Sequence, residues 1–443
     1  MSTGSLPVRA RAAVAATRIV NMLSRQFGAG SGTVAGGHAG LAIDPRLLER
    51  LAAGRRVALL SGTNGKTTTT RLVVVAVEGA LGRAATNATG SNMPTGHVTA
   101  LAGARPGSAA VLEVDEGYLP HLVESLEPEV VVLLNLSRDQ LDRTNEVRMV
   151  AEKWRAELAT ARGTAVVANA DDPLVTWAAS ASAKPVWVGA GLAWREDAVG
   201  CPSCEGRIAF ASAGPTQGWA CTCGFSRPGL DVRLEEDEVV LADGRRLPVA
   251  LRLPGRFNRA NAVMAGAAAA VMGVDWDESL RRMADVDEVA GRFSVLEVGG
   301  CRARVMLAKN PAGWRELLDL VCPGARPVVV GINARVADGR DPSWLWDVPF
   351  ERLRGRQVVA TGERCRDLAV RLHYAEVPHR TVRDEVAAVR AARTAADNAQ
   401  EAASGTASGS ASGSAQTVVD FIGNYTAFTD LAARAAAPAR GGA

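Results

Sequence analysis

The clearest pattern in the chain is a set of short, continuous apolar runs, each closed by a polar turn and separated from the next by a helix-like stretch. Residues 56–62 (Arg-Val-Ala-Leu-Leu-Ser-Gly) make the first run, and 109–114, 130–136 and 164–168 make the next three. Apolar runs of this length without alternation predict strands buried on both faces, and strands alternating with helices predict a parallel sheet covered by helices. In such sheets ligands gather where the strands' carboxyl ends open into loops. All four runs end in polar, chemically capable residues, so these ends are where function is expected.

Residues 199–228 break the pattern. They are short, cysteine-bearing and bounded by Gly and Pro, and predict a small insertion. The α/β pattern then resumes with an Ala-rich helix over 258–272. A second α/β unit is predicted from about Gly291, with strands over 302–307, 327–332, 357–361 and 417–422 and a helix over 384–401. Residues 402–415 are almost wholly Gly, Ala and Ser and predict a flexible loop. At the other end, residues 8–27 predict an amphipathic helix with Val14, Ile19, Val20, Leu23 and Phe27 on one side. Such a helix either docks on the domain or rests on a membrane surface. The expected division is an N-terminal helical segment (1–50), a central domain (51–290) carrying the 199–228 insertion, and a C-terminal α/β domain (291–443).

Composition narrows the class without naming a function. At 443 residues, with 47% hydrophobic and 22% charged residues, the chain can bury real cores in two or three domains. A net charge of +3 with mixed signs argues against a dedicated nucleic-acid binder. No apolar stretch is long enough to span a bilayer and no signal peptide is recognisable, so a cytoplasmic protein with reduced thiols is expected. In that setting Cys201-Pro-Ser-Cys204, sixteen residues, then Cys221-Thr-Cys223 predicts a structural zinc ribbon, although its second half is C-x-C rather than C-x-x-C. The other three of the seven cysteines, Cys301, Cys322 and Cys365, stand among apolar residues and are expected in cores.

The strongest chemical signal follows the first strand: Gly62-Thr63-Asn64-Gly65-Lys66-Thr67-Thr68. Glycines let backbone N–H groups approach a polyphosphate, a lysine neutralises the β/γ oxygens, and a Thr hydroxyl suits Mg²⁺. The helix N-terminus adds a favourable dipole. Leu60 stands where a full Walker A loop has glycine, so the match is to a shortened form.

This loop resembles the ATP loop of the Mur ligase superfamily, in which ATP phosphorylates a carboxylate and an amine attacks the acyl phosphate. The resemblance implies a Mur ligase-like central domain, the inserted four-cysteine zinc ribbon and a Rossmann-like C-terminal domain, with ATP, Mg²⁺ and structural Zn²⁺ as cofactors. It extends to Leu112–Tyr118, where Glu113, or alternatively Glu116, takes the place of the magnesium ligand. It also covers Asn135–Arg143, with Gln140 in place of a metal-binding histidine. Asn169-Ala170-Asp171-Asp172-Pro173 fits a family loop or a capped turn. Pro254–Ala262 fits the helix start whose Asn258 and Asn261 contact nucleotide or cap the helix. Gly291-Arg292-Phe293 resembles the hinge, and Lys309-Asn310 fall in a segment that contacts nucleotide, where Met306 replaces an expected aspartate.

The cysteine insert, Asp-Gln-Leu-Asp-Arg at 139–143 and Lys-Asn-Pro-Ala-Gly at 309–313 are most similar to the branch forming the synthetase subunit of lipid II isoglutaminyl synthase. That likeness implies amidation of the D-glutamate α-carboxylate of lipid II at the cytoplasmic membrane face. Ammonia would come from a GatD-like glutaminase, with Asp341 or Asp347 completing the partner's Cys-His-Asp triad. Two other functions remain open: a ligase of Mur or folylpolyglutamate type that adds an amino acid, and a non-catalytic nucleotide-binding zinc-ribbon protein.

Overall fold

The computed structural model describes residues 6–27, 33–87, 91–138, 147–211, 218–287, 293–404 and 417–436. The predicted 139–143 motif, the hinge at Gly291 and Arg292 and most of the Ser/Gly-rich loop lie outside these residues. The chain divides into two compact units, one of residues 1–137 and 145–287, the other of 138–144 and 288–443.

The first unit begins with three helices, α1 (Val8–Gln26), α2 (Thr33–Ile43) and α3 (Leu47–Ala52). The predicted apolar side of α1 is not the side that docks on the domain. Ala10, Ala13, Thr17 and Asn21 are its buried residues, whereas Ile19, Leu23 and Phe27 are exposed and Val14 is only half-buried. The cause is close packing: a methyl group at Gly36 of α2 would collide with Asn21, and one at Gly40 with Thr17. Two helices this close need small residues between them, and the larger apolar side chains are left outside.

After these helices come β1 (Val57–Ser61), α4 (Lys66–Leu81), β2 (Ala85–Thr86), α5 (Pro94–Gly103), β3 (Ala110–Glu113), α6 (Leu119–Leu126) and β4 (Val130–Leu133). They are followed by α7 (Val147–Leu158), β5 (Ala165–Asn169), α8 (Pro173–Ala179) and β6 (Pro185–Gly189). The insertion adds β7 (Ile208–Phe210) and β8 (Trp219–Cys221). Next come β9 (Val232–Glu235), β10 (Glu238–Leu241), β11 (Arg246–Pro248), α9 (Arg256–Val271) and α10 (Trp276–Met283).

The main sheet has nine strands in the order β11-β10-β9-β6-β5-β4-β1-β3-β2. Its strands from β2 to β9 pair in parallel, and β10 and β11 extend it antiparallel. All four predicted strands are present, and β1, β3 and β4 are buried along their whole length. The chain enters at β1, returns through β3 on one side and crosses to β4 on the other, so β1 lies at the topological switch point. A crevice must open at the carboxyl ends of these strands.

The second unit pairs β12 (Phe293–Val298) as an antiparallel hairpin with β13 (Cys301–Leu307), followed by α11 (Pro311–Val321) and β14 (Val328–Gly331). Then come β15 (Val358–Thr361), α12 (Cys365–Tyr374), β16 (His379–Thr381), α13 (Glu385–Ser404), β17 (Val419–Gly423) and α14 (Tyr425–Ala436). The six-stranded sheet runs β12-β13-β17-β14-β15-β16 and is parallel beyond the hairpin. Within it Asp420, almost fully buried on β17, receives two hydrogen bonds from the Arg304 guanidinium at 2.8 and 2.9 Å.

Candidate functional site

Two glycines shape the turn after β1. Gly62 has φ +143° and Gly65 has φ +85°, conformations that cost a side-chain-bearing residue strain. A Cβ at Gly62 would also lie 2.9 Å from Leu134 Cβ, and one at Gly65 2.7 Å from Asn261 Oδ1. The turn is therefore held against the end of β4 on one side and the start of α9 on the other.

Asn135 and Ser137, just past β4, hold the turn in place. Thr63 N–H donates to the Asn135 carbonyl at 2.9 Å, Asn64 N–H to Asn135 Oδ1 at 2.9 Å, and Asn135 Nδ2 to the Asn64 carbonyl at 3.0 Å. Thr63 Oγ1 donates to the Ser137 carbonyl and accepts from Ser137 N–H.

Lys66 opens α4 and is nearly buried. Its Nζ donates to the Gly62 carbonyl at 2.5 Å and pairs with the Glu116 carboxylate at 3.1 Å. Thr67, one residue on, is half-buried on the first turn of the helix.

Glu113 ends β3, in register with Leu60. Its backbone is clamped: Glu113 N–H donates to Asn87 Oδ1 at 2.9 Å, and its carbonyl accepts from Asn87 Nδ2 and His97 Nε2, each at 2.8 Å. The strand end therefore presents Glu113, and the following loop presents Glu116 to Lys66. A loop with glycine-shaped backbone, an ammonium group at a helix N-terminus and carboxylates on the neighbouring strand fits a magnesium-bound nucleoside triphosphate. Sequence reasoning missed Asn87 and His97, because a lone Asn or His carries no motif.

His97 is fully buried, and burial holds its imidazole down to about 4 against the opposing effect of its hydrogen bond to the Glu113 carbonyl. It is neutral in the folded protein and carries its proton on Nε2. The unfolded chain protonates first, so stability is full above pH 6.5 and falls as the pH drops toward 4. Urea unfolding is expected to show a loss of about 2 kcal/mol between pH 7 and pH 5, absent from His97→Phe.

The Asn169–Pro173 segment is a capped turn. Asp172 Oδ1 accepts from Leu174 and Val175 N–H at the start of α8, and its Oδ2 accepts from Leu136 N–H at 2.8 Å. Burial pushes Asp172 up to about 6 despite these donors. Its reach to Leu136 ties the turn to the Asn135–Ser137 segment that braces the glycine loop.

At the start of α9, Asn258 Nδ2 donates to the Pro254 carbonyl at 2.7 Å, which is local helix-start bonding. Asn261 instead lies against Gly65. Of the two predicted nucleotide contacts in this helix, Asn261 is the one brought to the loop.

The four ribbon cysteines come together despite the short C-x-C spacing. Their sulfurs all lie within 4.8 Å of one another, with Cys201–Cys223 at 3.7 Å and Cys204–Cys221 at 3.5 Å. Tetrahedral Zn²⁺ with Zn–S bonds of about 2.3 Å needs sulfurs roughly 3.8 Å apart, so the cluster fits zinc. Gly224, at φ +93°, closes the tight second half, and a backbone N–H from Cys223 helps hold the Cys221 thiol down to about 7. The ribbon is fastened to the β5 turn: Trp219 Nε1 donates to the Ala170 carbonyl at 2.9 Å, and Arg227 pairs with the buried Asp171 at 2.7 Å.

In the second unit Asn310 caps α11, its Oδ1 accepting from Gly313 N–H at 2.9 Å, and Lys309 Nζ lies 5.3 Å from the centroid of the Tyr425 ring. Asp341 and Asp347 are exposed in the loop after β14, and Asp341 Oδ1 accepts from Ser343 N–H. The loop is anchored by Asp338, which the sequence did not single out. It is buried and accepts from both Thr426 N–H and Thr426 Oγ1. Trp344 is buried against Trp314, whereas Trp346 is half-exposed beside exposed Tyr374, ring centroids 5.5 Å apart. Cys301 and Cys365 are buried, and Cys322 is partly so.

Residues 60–195 match the family model of the Mur ligase middle domain, and residues 307–412 match that of the MurT ligase C-terminal domain. The MurT subunit of the glutamine-hydrolysing lipid II isoglutaminyl synthase of Streptococcus pneumoniae is 28% identical over 378 residues, 79% of this chain and 83% of that protein. The corresponding subunit of Staphylococcus aureus strain COL is 28% identical over 385 residues, 82% of this chain and 88% of its own. Among solved structures, MurF of Acinetobacter baumannii superposes with a TM-score of 0.62 at 14% identity, covering 89% of this chain and 79% of its own. The pseudomurein peptide ligase type C of Methanothermus fervidus gives 0.60 at 20% identity, covering 83% and 76%. The glycine loop lies within the residues that match the Mur ligase middle domain, which makes this chain a Mur ligase superfamily member. Its C-terminal domain and its curated relatives place it in the MurT family.

Proposed function

We propose that this chain is the synthetase subunit of a lipid II-amidating enzyme: it phosphorylates the D-glutamate α-carboxylate of the stem peptide and lets ammonia displace the phosphate, giving D-isoglutamine. The observation that carries this is the glycine loop with Lys66 and Glu116 at the switch point of a Mur ligase-type sheet. The names of the MurT relatives supply the substrate class.

A carboxylate is a poor electrophile, and phosphorylation gives it a leaving group. The carboxylate oxygen attacks the γ-phosphorus and ADP departs. Ammonia then adds to the acyl carbon, inorganic phosphate leaves with the C–O bond's electrons, and the nitrogen loses a proton. Lys66 balances charge on the β/γ oxygens after exchanging its carbonyl and carboxylate partners for phosphate. Thr67 and Glu113, with Glu116 as the alternative, would hold Mg²⁺, which would supply further charge neutralisation. Backbone N–H groups of Gly62 to Thr68 cradle the phosphates, and Asn261 and Asn258 border the nucleotide. Cys201, Cys204, Cys221 and Cys223 would hold a structural Zn²⁺ through four thiolates, with no position left for catalysis.

Ammonia comes from a GatD-like glutaminase that the C-terminal domain binds, and Asp341 or Asp347 completes its triad. The half-exposed Trp346 and exposed Tyr374 beside Asp347 support a docking face there, because interfaces favour such aromatics. The test is amidation of lipid II by the co-purified complex, with glutamine or with ammonia. Replacing the triad aspartate by Ala is expected to reduce glutamine-dependent amidation by about 10²-fold or more while ammonia-dependent amidation persists. If neither Asp341→Ala nor Asp347→Ala separates the two nitrogen sources, the triad assignment is wrong. Amide formation only with an amino acid would instead favour the amino acid-adding ligase.

A further inference from the structure

The outward face of α1 has a use that neither the fold nor the catalytic site explains. Val8, Ala12, Ala15, Ile19 and Met22 are spaced by 4, 7, 11 and 14 residues from the first, so they form one stripe, and every member is exposed. Val8 is 73% exposed, Ile19 52% and Met22 58%. This stripe lies opposite Ala10, Ala13, Thr17 and Asn21, the buried side of the helix. The helix thus shows solvent its larger apolar residues.

Arginines border the stripe: Arg9 on one edge, Arg11, Arg18 and Arg25 on the other. The helix contains no acidic residue, and among the described residues none of its four arginines forms an ion pair. Two of them pin the helix to the body of the domain. Arg9 donates to the Ile43 carbonyl and Arg18 to the Ala102 carbonyl at 2.9 and 2.6 Å. A fixed helix with an outward apolar stripe edged by cations has the chemistry of an interfacial helix.

We propose that α1 is a membrane foot, lying along an anionic lipid surface with Val8, Ile19 and Met22 in the acyl boundary and Arg11 and Arg25 against lipid phosphates. The charge favours this occupant: a bilayer carrying anionic headgroups complements an acid-free, arginine-edged stripe along its whole length. The inference deepens the proposed function, on which it rests for its purpose, since a lipid-linked substrate must be met at a bilayer. Its physical basis is the helix alone.

The test is co-sedimentation of the full-length chain, with its partner, on phosphatidylcholine vesicles with and without phosphatidylglycerol. Phosphatidylglycerol is expected to raise binding by about tenfold or more, with added salt reversing the gain. The double variant Ile19→Ser/Met22→Ser, both sites exposed, is expected to lose most of the binding while keeping helical content and amidation of detergent-solubilised substrate. Arg11→Gln/Arg25→Gln should weaken the response to phosphatidylglycerol more than the residual binding to neutral vesicles. No preference for anionic vesicles, or unchanged binding by the serine variant, overturns the proposal. So does a loss of self-association or of the co-purifying partner in that variant, which would show that the stripe faces protein. Vesicle binding needs neither ATP nor substrate, so a chain that binds vesicles yet makes no amide overturns the assigned reaction and leaves the foot standing.

Discussion

Lys66→Ala is expected to lower ATP-dependent amidation by about 10²–10³-fold, the effect of deleting one preorganised charge from a transferring phosphoryl group. Lys66 is the only basic residue in the glycine loop, and it opens the helix that follows. The ammonium is held by the Gly62 carbonyl and by Glu116, at the rim of the sheet and outside the apolar core. Removing one partner of a pair whose side chains are only 10% and 18% exposed is also expected to cost stability, about 3 kcal/mol, so turnover is compared where the variant is folded. Steady-state amidation alongside urea unfolding checks both parts. A variant that is folded under the assay conditions but has lost turnover places Lys66 in the chemistry; parent-like turnover removes it.

Removing zinc is expected to weaken nucleotide binding at a distance. The ribbon's own core is small, made of Cys201, Ile208, Trp219 and Cys221 with Phe210 and Phe225 packed against it. A core of that size does not hold a fold without its metal. Its collapse releases Trp219 from the Ala170 carbonyl and Arg227 from Asp171. Asp172, next in sequence, holds Leu136, and the neighbouring Asn135 and Ser137 hold Thr63 and Asn64. This is a contiguous run of hydrogen bonds from ribbon to phosphate loop. Chelation, or Cys221→Ser, should raise the Kd for ATP by about tenfold, equivalent to about 1.4 kcal/mol. Isothermal titration with ATP before and after chelation measures it, with Trp219 fluorescence reporting the ribbon. An unchanged Kd with a collapsed ribbon would show that the run of bonds carries no coupling.

The parts of this protein legible in its sequence are those where local chemistry and tertiary structure agree. The strands β1, β3, β4 and β5 were readable because each is buried on both faces, so the apolar pattern is uninterrupted. The glycine loop was readable because positive φ restricts two positions to a recognisable residue. The four cysteines were readable by spacing, and the structure brings them together in spite of the C-x-C half-site.

Elsewhere packing overrides pattern. In α1 the apolar side is not the docked side, because Gly36 and Gly40 of α2 approach so closely that only small residues fit between the helices. The Asn87–His97 clamp on Glu113 and the Asp338–Thr426 anchor depend on residues far apart in sequence, which no local signal joins. Asp172 shows the reverse: its motif was visible, and its cap and its reach to Leu136 needed coordinates.

The account turns on the substrate carboxylate becoming an acyl phosphate. Lipid II carrying oxygen-18 in its D-glutamate α-carboxylate, given ATP and ammonia and the assembled complex, tests this directly by mass spectrometry of the released phosphate. One labelled oxygen in each inorganic phosphate formed alongside amide is the expected result. Amide formed with wholly unlabelled phosphate would contradict the account.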